Sequence, residues 1–255
     1  MAGHSHWAGI KHKKGAADKK RGKLFSKLAK AIIISVKDGG GSTDLSSNLK
    51  LRYAVDRAKE NNMPKNNIER AIKKGAGVSS GDTIFTEIMY EGYGPGGVAI
   101  MVEVITDNRN RSAFEVRKLF ENNGGKLGES GCVAYMFDKK GVISVEEKNL
   151  SEDELMEMAL EAGADDIISE DDSYEIITDP GNLGSVKEEL EAKKINIVLA
   201  EVTTVPSNKI TLDESNALKV LNIITDLEGY DDADNVYANF EIPDDILDKI
   251  SSESQ

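Results

Sequence analysis

The sequence predicts a multi-domain α+β protein: an N-terminal three-helix domain followed by two α/β domains, one inserted in the other. Three observations carry that prediction. Apolar residues recur at helical spacing as far as residue 77, short strand patterns alternating with helices begin at residue 83, and the charge changes sign near the same border. Residues 1–77 hold 18 Lys and Arg against 6 Asp and Glu, whereas residues 78–255 hold 14 against 39. The net charge of −13 thus conceals a basic head on an acidic body, a pattern that points to a polyanion-binding protein.

A chain of 255 residues can bury two or three cores. The longest apolar runs, such as Ala31–Val36 and Val98–Val102, have the length of core elements and fall short of a membrane span. The one cysteine, Cys132, excludes an intramolecular disulfide and fits a reducing compartment. The opening Met-Ala-Gly-His lacks the apolar segment of a secretory signal, and a Lys-rich stretch that runs on into a helix differs from an Arg- and Ser-rich presequence. A cytoplasmic location is expected.

Residues 1–22 have few large apolar groups and are expected to form a mobile arm. From Lys23 to Val36 a helix is predicted, with Leu24, Phe25, Leu28, Ala29, Ile32 and Val36 on one face. Lys23, Lys27, Lys30 and Lys37 form a second stripe, interrupted by Ile34. Gly39-Gly40-Gly41 ends this helix, and Ser46 or Ser47 can cap the next, whose buried face is Leu51, Ala54, Val55 and Ala58. Pro64 opens a third helix that buries Ile68, Ala71 and Ile72 and places Asn67, Arg70 and Lys74 on an outward face.

A Lys-rich helical surface is often no more than a solvated face. Here residues 1–37 carry ten Lys and Arg against the single acid Asp18, so the usual intermixed pairs are missing. Phosphate contacts release condensed counterions, which gives such a surface a use. The second and third helices resemble a helix-turn-helix with Asn66, Asn67 and Arg70 as base readers. The densest charge lies in the arm, however, and lysine is a point charge without the bidentate fork of arginine, which better suits backbone contacts to structured RNA. The expected contacts are Lys11, Lys13, Lys14, Lys19, Lys20, Arg21, Lys23, Lys27 and Lys30, with Asn67, Arg70 and Lys74 beside them.

In the body, Ile84–Tyr90 and Val98–Thr106 read as strands joined by the turn Gly92–Gly97, followed by a helix at Ser112–Asn122. Cys132–Phe137 and Val142–Val145 read as a hairpin. A helix at Glu152–Glu161, strands near Asp166–Ser169 and Tyr174–Thr178, a helix at Leu183–Lys193 and a strand at Asn196–Val202 follow. This order contains the split βαβ plan of ferredoxin-like domains. After Pro206 come a helix at Glu214–Leu227, a strand at Val236–Ile242 and a short helix at Asp244–Ile250. Joining the two flanks divides the chain into a basic helical domain at 1–77, a discontinuous α/β domain at 78–130 plus 205–255, and an inserted acidic α/β domain at 131–204.

Motifs for catalysis mostly fail. Gly92, Gly94 and Gly97 satisfy G-x-G-x-x-G, but a strand follows where a phosphate needs a helix N-terminus. The kinase-like alternative puts Met101 where lysine belongs. His4, His6 and His12 all lie in the arm, so the body has no histidine base and Cys132 no histidine partner. The acidic residues between Glu152 and Asp172 lack the order of a calcium loop and read as solvated surface. Ala2-Gly3-His4 could hold Cu(II) if Met1 were removed, a geometry read here as incidental. No enzyme, cofactor, resident metal or small-molecule substrate is expected, although an enzyme with a cleft between the α/β domains is the outside alternative.

The opening Met1-Ala-Gly-His-Ser-His-Trp-Ala-Gly-Ile-Lys-His-Lys-Lys-Gly15, the segment Asn62-Met-Pro-Lys-Asn-Asn-Ile-Glu-Arg-Ala-Ile-Lys-Lys-Gly75 and the turn Glu91-Gly-Tyr-Gly-Pro-Gly-Gly-Val98 closely resemble the YebC family. The family's other branch is the mitochondrial translational activator of cytochrome c oxidase subunit I; without an extra leading presequence, this chain looks like the bacterial form. The resemblance implies three domains, the third inserted in the second. It also implies one of two roles: a DNA-binding transcriptional regulator, or a translation factor on the ribosome that eases synthesis of sequences such as proline runs. The expectation taken from both lines of reasoning is a non-enzymatic nucleic-acid-binding regulator of gene expression, with rRNA and the ribosome ahead of sequence-specific DNA.

Overall fold

The computed structural model describes residues 17–77, 84–146, 152–170 and 173–253. The fold is α+β with an N-terminal helical region. It divides into two compact units, one of residues up to 136 together with 208 onward, the other of Phe137–Ser207.

Three helices open the first unit: α1 (Ala17–Asp38), α2 (Leu49–Glu60) and α3 (Lys65–Gly75). Leu28, Ile32 and Val36 of α1 pack with Leu51, Val55 and Ala58 of α2 and with Ile68 and Ala71 of α3. The expected arm lies outside the described residues as far as position 16. From Ala17 it is helical, six residues earlier than its apolar content implied, because Ala, Lys and Arg are strong helix formers and extend a helix already anchored by its core face.

The cap of α2 also differs from expectation. Asn48, and neither serine, accepts from the Leu51 N–H at 3.0 Å, while its amide donates to the Ser35 carbonyl at 2.9 Å. One buried side chain therefore starts α2 and fastens it to the end of α1. Gly75, at the end of α3, lets that helix approach α1 by having no side chain: a Cβ there would lie 2.7 Å from Val36 Cβ and 2.8 Å from the Ile33 carbonyl.

The chain continues through β1 (Thr86–Tyr93), β2 (Ala99–Thr106), α4 (Arg109–Asn122) and β3 (Lys126–Leu127). Between β1 and β2 the Gly94 N–H donates to the Val98 carbonyl at 2.7 Å, with Gly96 and Gly97 at φ of 72° and 79°. The glycine motif is thus a tight turn.

The second unit holds β4 (Phe137–Val145), α5 (Glu152–Glu161), β5 (Asp166–Glu170), β6 (Ser173–Thr178), α6 (Leu183–Ala192) and β7 (Ile197–Pro206). Its antiparallel sheet has the order β5-β6-β4-β7, the ferredoxin-like plan. The expected hairpin at 132–145 is absent. Residues Ala134–Met136 form a short helical turn, and β4 runs unbroken between β6 and β7. Gly141, inside that unbroken strand, is a close-packing residue: a Cβ there would run into the Thr178 hydroxyl and Leu183.

The chain then returns to the first unit with β8 (Ile210–Thr211), α7 (Glu214–Gly229), β9 (Ala233–Ala238), β10 (Phe240–Glu241) and α8 (Asp244–Glu253). The main sheet has the order β3-β1-β2-β9. The strand expected at Val236–Ile242 is broken at Asn239, a buried residue whose side-chain oxygen accepts from the Ala99 N–H at 2.7 Å. Beyond it, β10 pairs in parallel with β8.

Strand β2 is buried on both faces. Its even-numbered residues Ile100, Val102 and Val104, with Val98 just before it, pack with Val116 and Phe120 of α4 and with Val220, Ile223, Ile224 and Leu227 of α7. Helix α1 lies against β2 and β9 and takes the opposite face. The helical head is therefore one layer of a helix–sheet–helix sandwich.

Candidate nucleic-acid interface

Where the basic side chains of the head point decides what they can bind. The stripe Lys23, Lys27, Lys30 was expected to face phosphate. Its continuation, Ile34, is 3% exposed, and the lysines follow it toward the protein. Lys23 pairs with Asp231 at 2.8 Å; Lys27 donates to the Glu228 carbonyl at 2.7 Å; Lys30 donates to Asp232 Oδ1 at 2.5 Å and to the Asp231 carbonyl at 3.1 Å. On α2, Arg57 lies 3.8 Å from Asp234, and Lys50 reaches Asp38 at 2.6 Å and Glu87 at 2.7 Å. The acidic segment 228–234 is thus the counter-charge of the basic head. Among the described residues, the counter-charge that the head lacks locally is supplied from some 200 residues away in sequence.

The electrostatics of this seam follow from burial. Burial pushes the Asp234 carboxyl above the ordinary range, against the pull of Arg57 and Lys27. Burial likewise lowers the Lys27 ammonium, with Asp234, Asp231 and Glu228 opposing. Asp232 goes the other way: hydrogen bonds from Lys30, Arg111 and Thr106 outweigh burial and hold it below the usual carboxylate range. Arg111 reaches it at 2.7 Å, Thr106 at 3.1 Å and the Tyr230 hydroxyl at 3.2 Å. Asp232 is the knot that joins α1, β2, α4 and the start of β9.

Among the described residues, a different surface of the head stays open. Between α1, α3 and Phe85 runs a groove of about 570 Å3. Its floor is apolar, with Phe25, Ala29, Ile33, Met63, Ala71 and Phe85. Its rim is polar and basic, with Ser26, Lys30, Asn67, Arg70, Lys73 and Lys74. The Lys74 and Lys30 ammonium groups lie 5.6 and 6.0 Å from the Phe85 ring centre. Arg70 and Lys73 have no ion-pair partner among the described residues, and Arg70 is exposed.

The structure accordingly separates the expected contact residues. Lys30, Asn67, Arg70 and Lys74 come together at the groove. Lys23 and Lys27 are held by the acidic segment, and Lys30, although on the rim, is neutralised by Asp232. Arg21 is exposed on the first turns of α1. Lys19 and Lys20 fall within α1, while Lys11, Lys13 and Lys14 lie outside the described residues.

Sequence reasoning missed Lys73 and the two phenylalanines. Lys73 sits three residues after Arg70, a spacing that places both on one helix face, so it was open to discovery. Phe85, contributed by the start of the body, had no such signal.

Cys132 is half-buried, and burial together with Glu91 raises its thiol above the ordinary value. Glu91 is itself almost fully buried: its carboxylate accepts the N–H groups of Gly131, Val133 and Ala134 at 2.7, 2.9 and 2.8 Å. These three bonds outweigh burial and hold its carboxyl below the ordinary value. Glu91 therefore clamps the loop that carries Cys132, whose thiolate is disfavoured by burial and by the nearby carboxylate. Among the described residues, no helix is long and apolar enough to cross a membrane.

Comparison with known proteins yields two family models that together span most of the chain. One, described as the TACO1/YebC protein N-terminal domain, matches residues 5–78; the other, the TACO1/YebC second and third domain, matches residues 85–240. A relative from Dictyoglomus thermophilum named "Probable transcriptional regulatory protein" is 54% identical over 98% of this chain and 100% of its own length. A relative of the same name from Natranaerobius thermophilus is 53% identical over 97% and 99%. A solved structure, the conserved hypothetical protein Aq1575 from Aquifex aeolicus, is similar at a TM-score of 0.80 and 49% identity, covering 93% of this chain and 97% of that one.

Proposed function

Since the chain belongs to the TACO1/YebC family, whose members here carry the name of regulatory proteins, we propose that it is a non-enzymatic nucleic-acid-binding regulator of gene expression in the cytoplasm. The helical head, residues 1–77, serves as its binding domain. Its target is structured RNA, with the ribosome as the site of action. The observation that supports this most is the groove rimmed by Arg70 and Lys73, two cations that nothing in the acidic body neutralises among the described residues. Phosphate oxygens are the ligand such side chains complement, Arg through two parallel hydrogen bonds and Lys as a point charge. The concave, apolar floor beneath them favours irregular RNA over the regular edge of duplex DNA.

A sequence-specific DNA regulator is the second reading. It rests on Asn67 and Arg70, which stand on the groove side of α3 as base readers would, and on the name its relatives share.

Sedimentation with ribosomes across a salt series tests the choice. Co-sedimentation that weakens with salt and with Arg70→Ala/Lys73→Ala supports the first reading. A complex with one DNA sequence that outcompetes excess random DNA, without ribosome association, replaces it with the second.

A further inference from the structure

The groove between α1 and α3 has two layers of different chemistry, and a rigid polyanion surface would use only one. Arg70 and Lys73 on the rim answer phosphate, but Phe25, Ile33, Met63 and Phe85 beneath them answer an apolar, planar group. In a double helix the bases are stacked inside two backbones, so a duplex laid on the rim leaves the floor empty. An unpaired nucleotide presents both parts at once, a base with an apolar face and a backbone with negative charge. The volume of about 570 Å3 lies in the roughly 300–1,000 Å3 range of sites for single small molecules.

The surroundings hold the groove open in that shape. The Lys30 ammonium is fixed by Asp232 and the Asp231 carbonyl, and with Lys74 it lies over the Phe85 ring. Gly75 keeps α3 against Ile33 and Val36, which sets the width. A preformed cleft loses little ordering entropy when it is filled.

We infer that this groove is a seat for one unpaired nucleotide, with the base on the apolar floor and the flanking phosphates on Arg70 and Lys73. The inference rests on the nucleic-acid reading of the head and deepens it: the ligand is a single strand, or a looped-out base of a folded RNA. A base in the groove gains burial that a bare backbone cannot.

The experiment measures binding of the full chain, by fluorescence anisotropy at one ionic strength, to four probes of equal length. These are an octauridylate, the same backbone with its central bases removed, an octathymidylate, and an RNA duplex. The intact octauridylate is expected to bind about tenfold more tightly than the abasic strand and the duplex. A thymidylate that also outbinds the abasic strand supports the seat and shows that it accepts either sugar; a thymidylate that binds no better supports a seat selective for the 2′-hydroxyl or too narrow for the C5-methyl of thymine. Ser26→Leu, at an exposed position on the rim, is expected to fill the groove and erase the preference for the intact strand while leaving the salt dependence unchanged. Equal binding of intact and abasic strands, with a normal salt dependence, overturns the nucleotide seat and leaves the phosphate-binding head standing. No binding of any probe overturns both.

Discussion

Lys30 and Asp232, 202 positions apart, are joined by a 2.5 Å ion pair in which both side chains are largely buried. The pair marks where the basic head and acidic body meet. A charge split that looks like two separate surfaces in the sequence is in part a single seam, with Lys23, Lys27, Lys30, Lys50 and Arg57 on one side and Glu87, the 228–232 segment and Asp234 on the other. Among the described residues, what remains for an external partner is smaller and more sharply placed.

Asp232→Ala is expected to destabilise the first unit by about 2–4 kcal/mol, because it removes the carboxylate partner of the largely buried Lys30 ammonium and the anchor shared by Arg111, Thr106 and Tyr230. Urea denaturation of the purified protein measures this. A loss below about 0.5 kcal/mol, the range of ordinary surface substitutions, contradicts the assignment of a knot.

Glu91→Gln is expected to lower stability at neutral pH by about 2–3 kcal/mol, since three N–H donors lose their charged acceptor. The sign with pH follows from the lowered carboxyl. A carboxyl held down by the fold stabilises above its ordinary range, and that gain disappears as the pH falls through the lowered folded value. The difference in melting temperature between wild type and variant should therefore narrow as the solution is acidified below the ordinary glutamate range. A difference that stays constant to low pH contradicts it.

Gly75→Ala tests the width of the head. Alanine gains about 1 kcal/mol of helix propensity over glycine, but the new Cβ would sit within 2.8 Å of Val36 and the Ile33 carbonyl. Overpacking of about 1–3 kcal/mol should win, so the melting temperature falls. A rise shows that α1 and α3 have room to separate.

The thiol of Cys132 is expected to react slowly at neutral pH, since burial and Glu91 both disfavour the thiolate. Alkylation followed across pH should run slower than for free cysteine, with its midpoint displaced upward. A rate at or above that of free cysteine at neutral pH contradicts a protonated packing residue.

Much of the fold was legible because period and burial agree. Leu28, Ile32 and Val36 recur at helical steps and line the core of the head, and the short apolar run Val98–Val102 suits a strand buried on both faces. The failures share one cause, that a residue type does not say what it meets. Residues 132–145 read as a hairpin, but Gly141 within them is space for Thr178 and Leu183 in an unbroken strand. Ser46 and Ser47 are as good caps as Asn48 until the Ser35 carbonyl is placed beside Asn48. The lysine stripe carried its own warning in Ile34, because a stripe that runs on into a buried isoleucine faces inward. The groove was half legible: Asn67, Arg70 and Lys74 share a helix face, but Phe85 joins them only through tertiary structure.

The central claim is that the described cations of the head fall into an inward set and an outward set, and the salt dependence of RNA binding tests it most directly. Removing one cation from a phosphate reduces the slope of log affinity against log salt by about 0.7–0.9. Arg70→Ala/Lys73→Ala is expected to lower the slope by about 1.4–1.8 with its melting temperature unchanged, whereas Lys27→Met is expected to leave the slope as it is. An unchanged slope in the double variant, or a fall in the Lys27 variant as large as the one expected of the pair, contradicts the division.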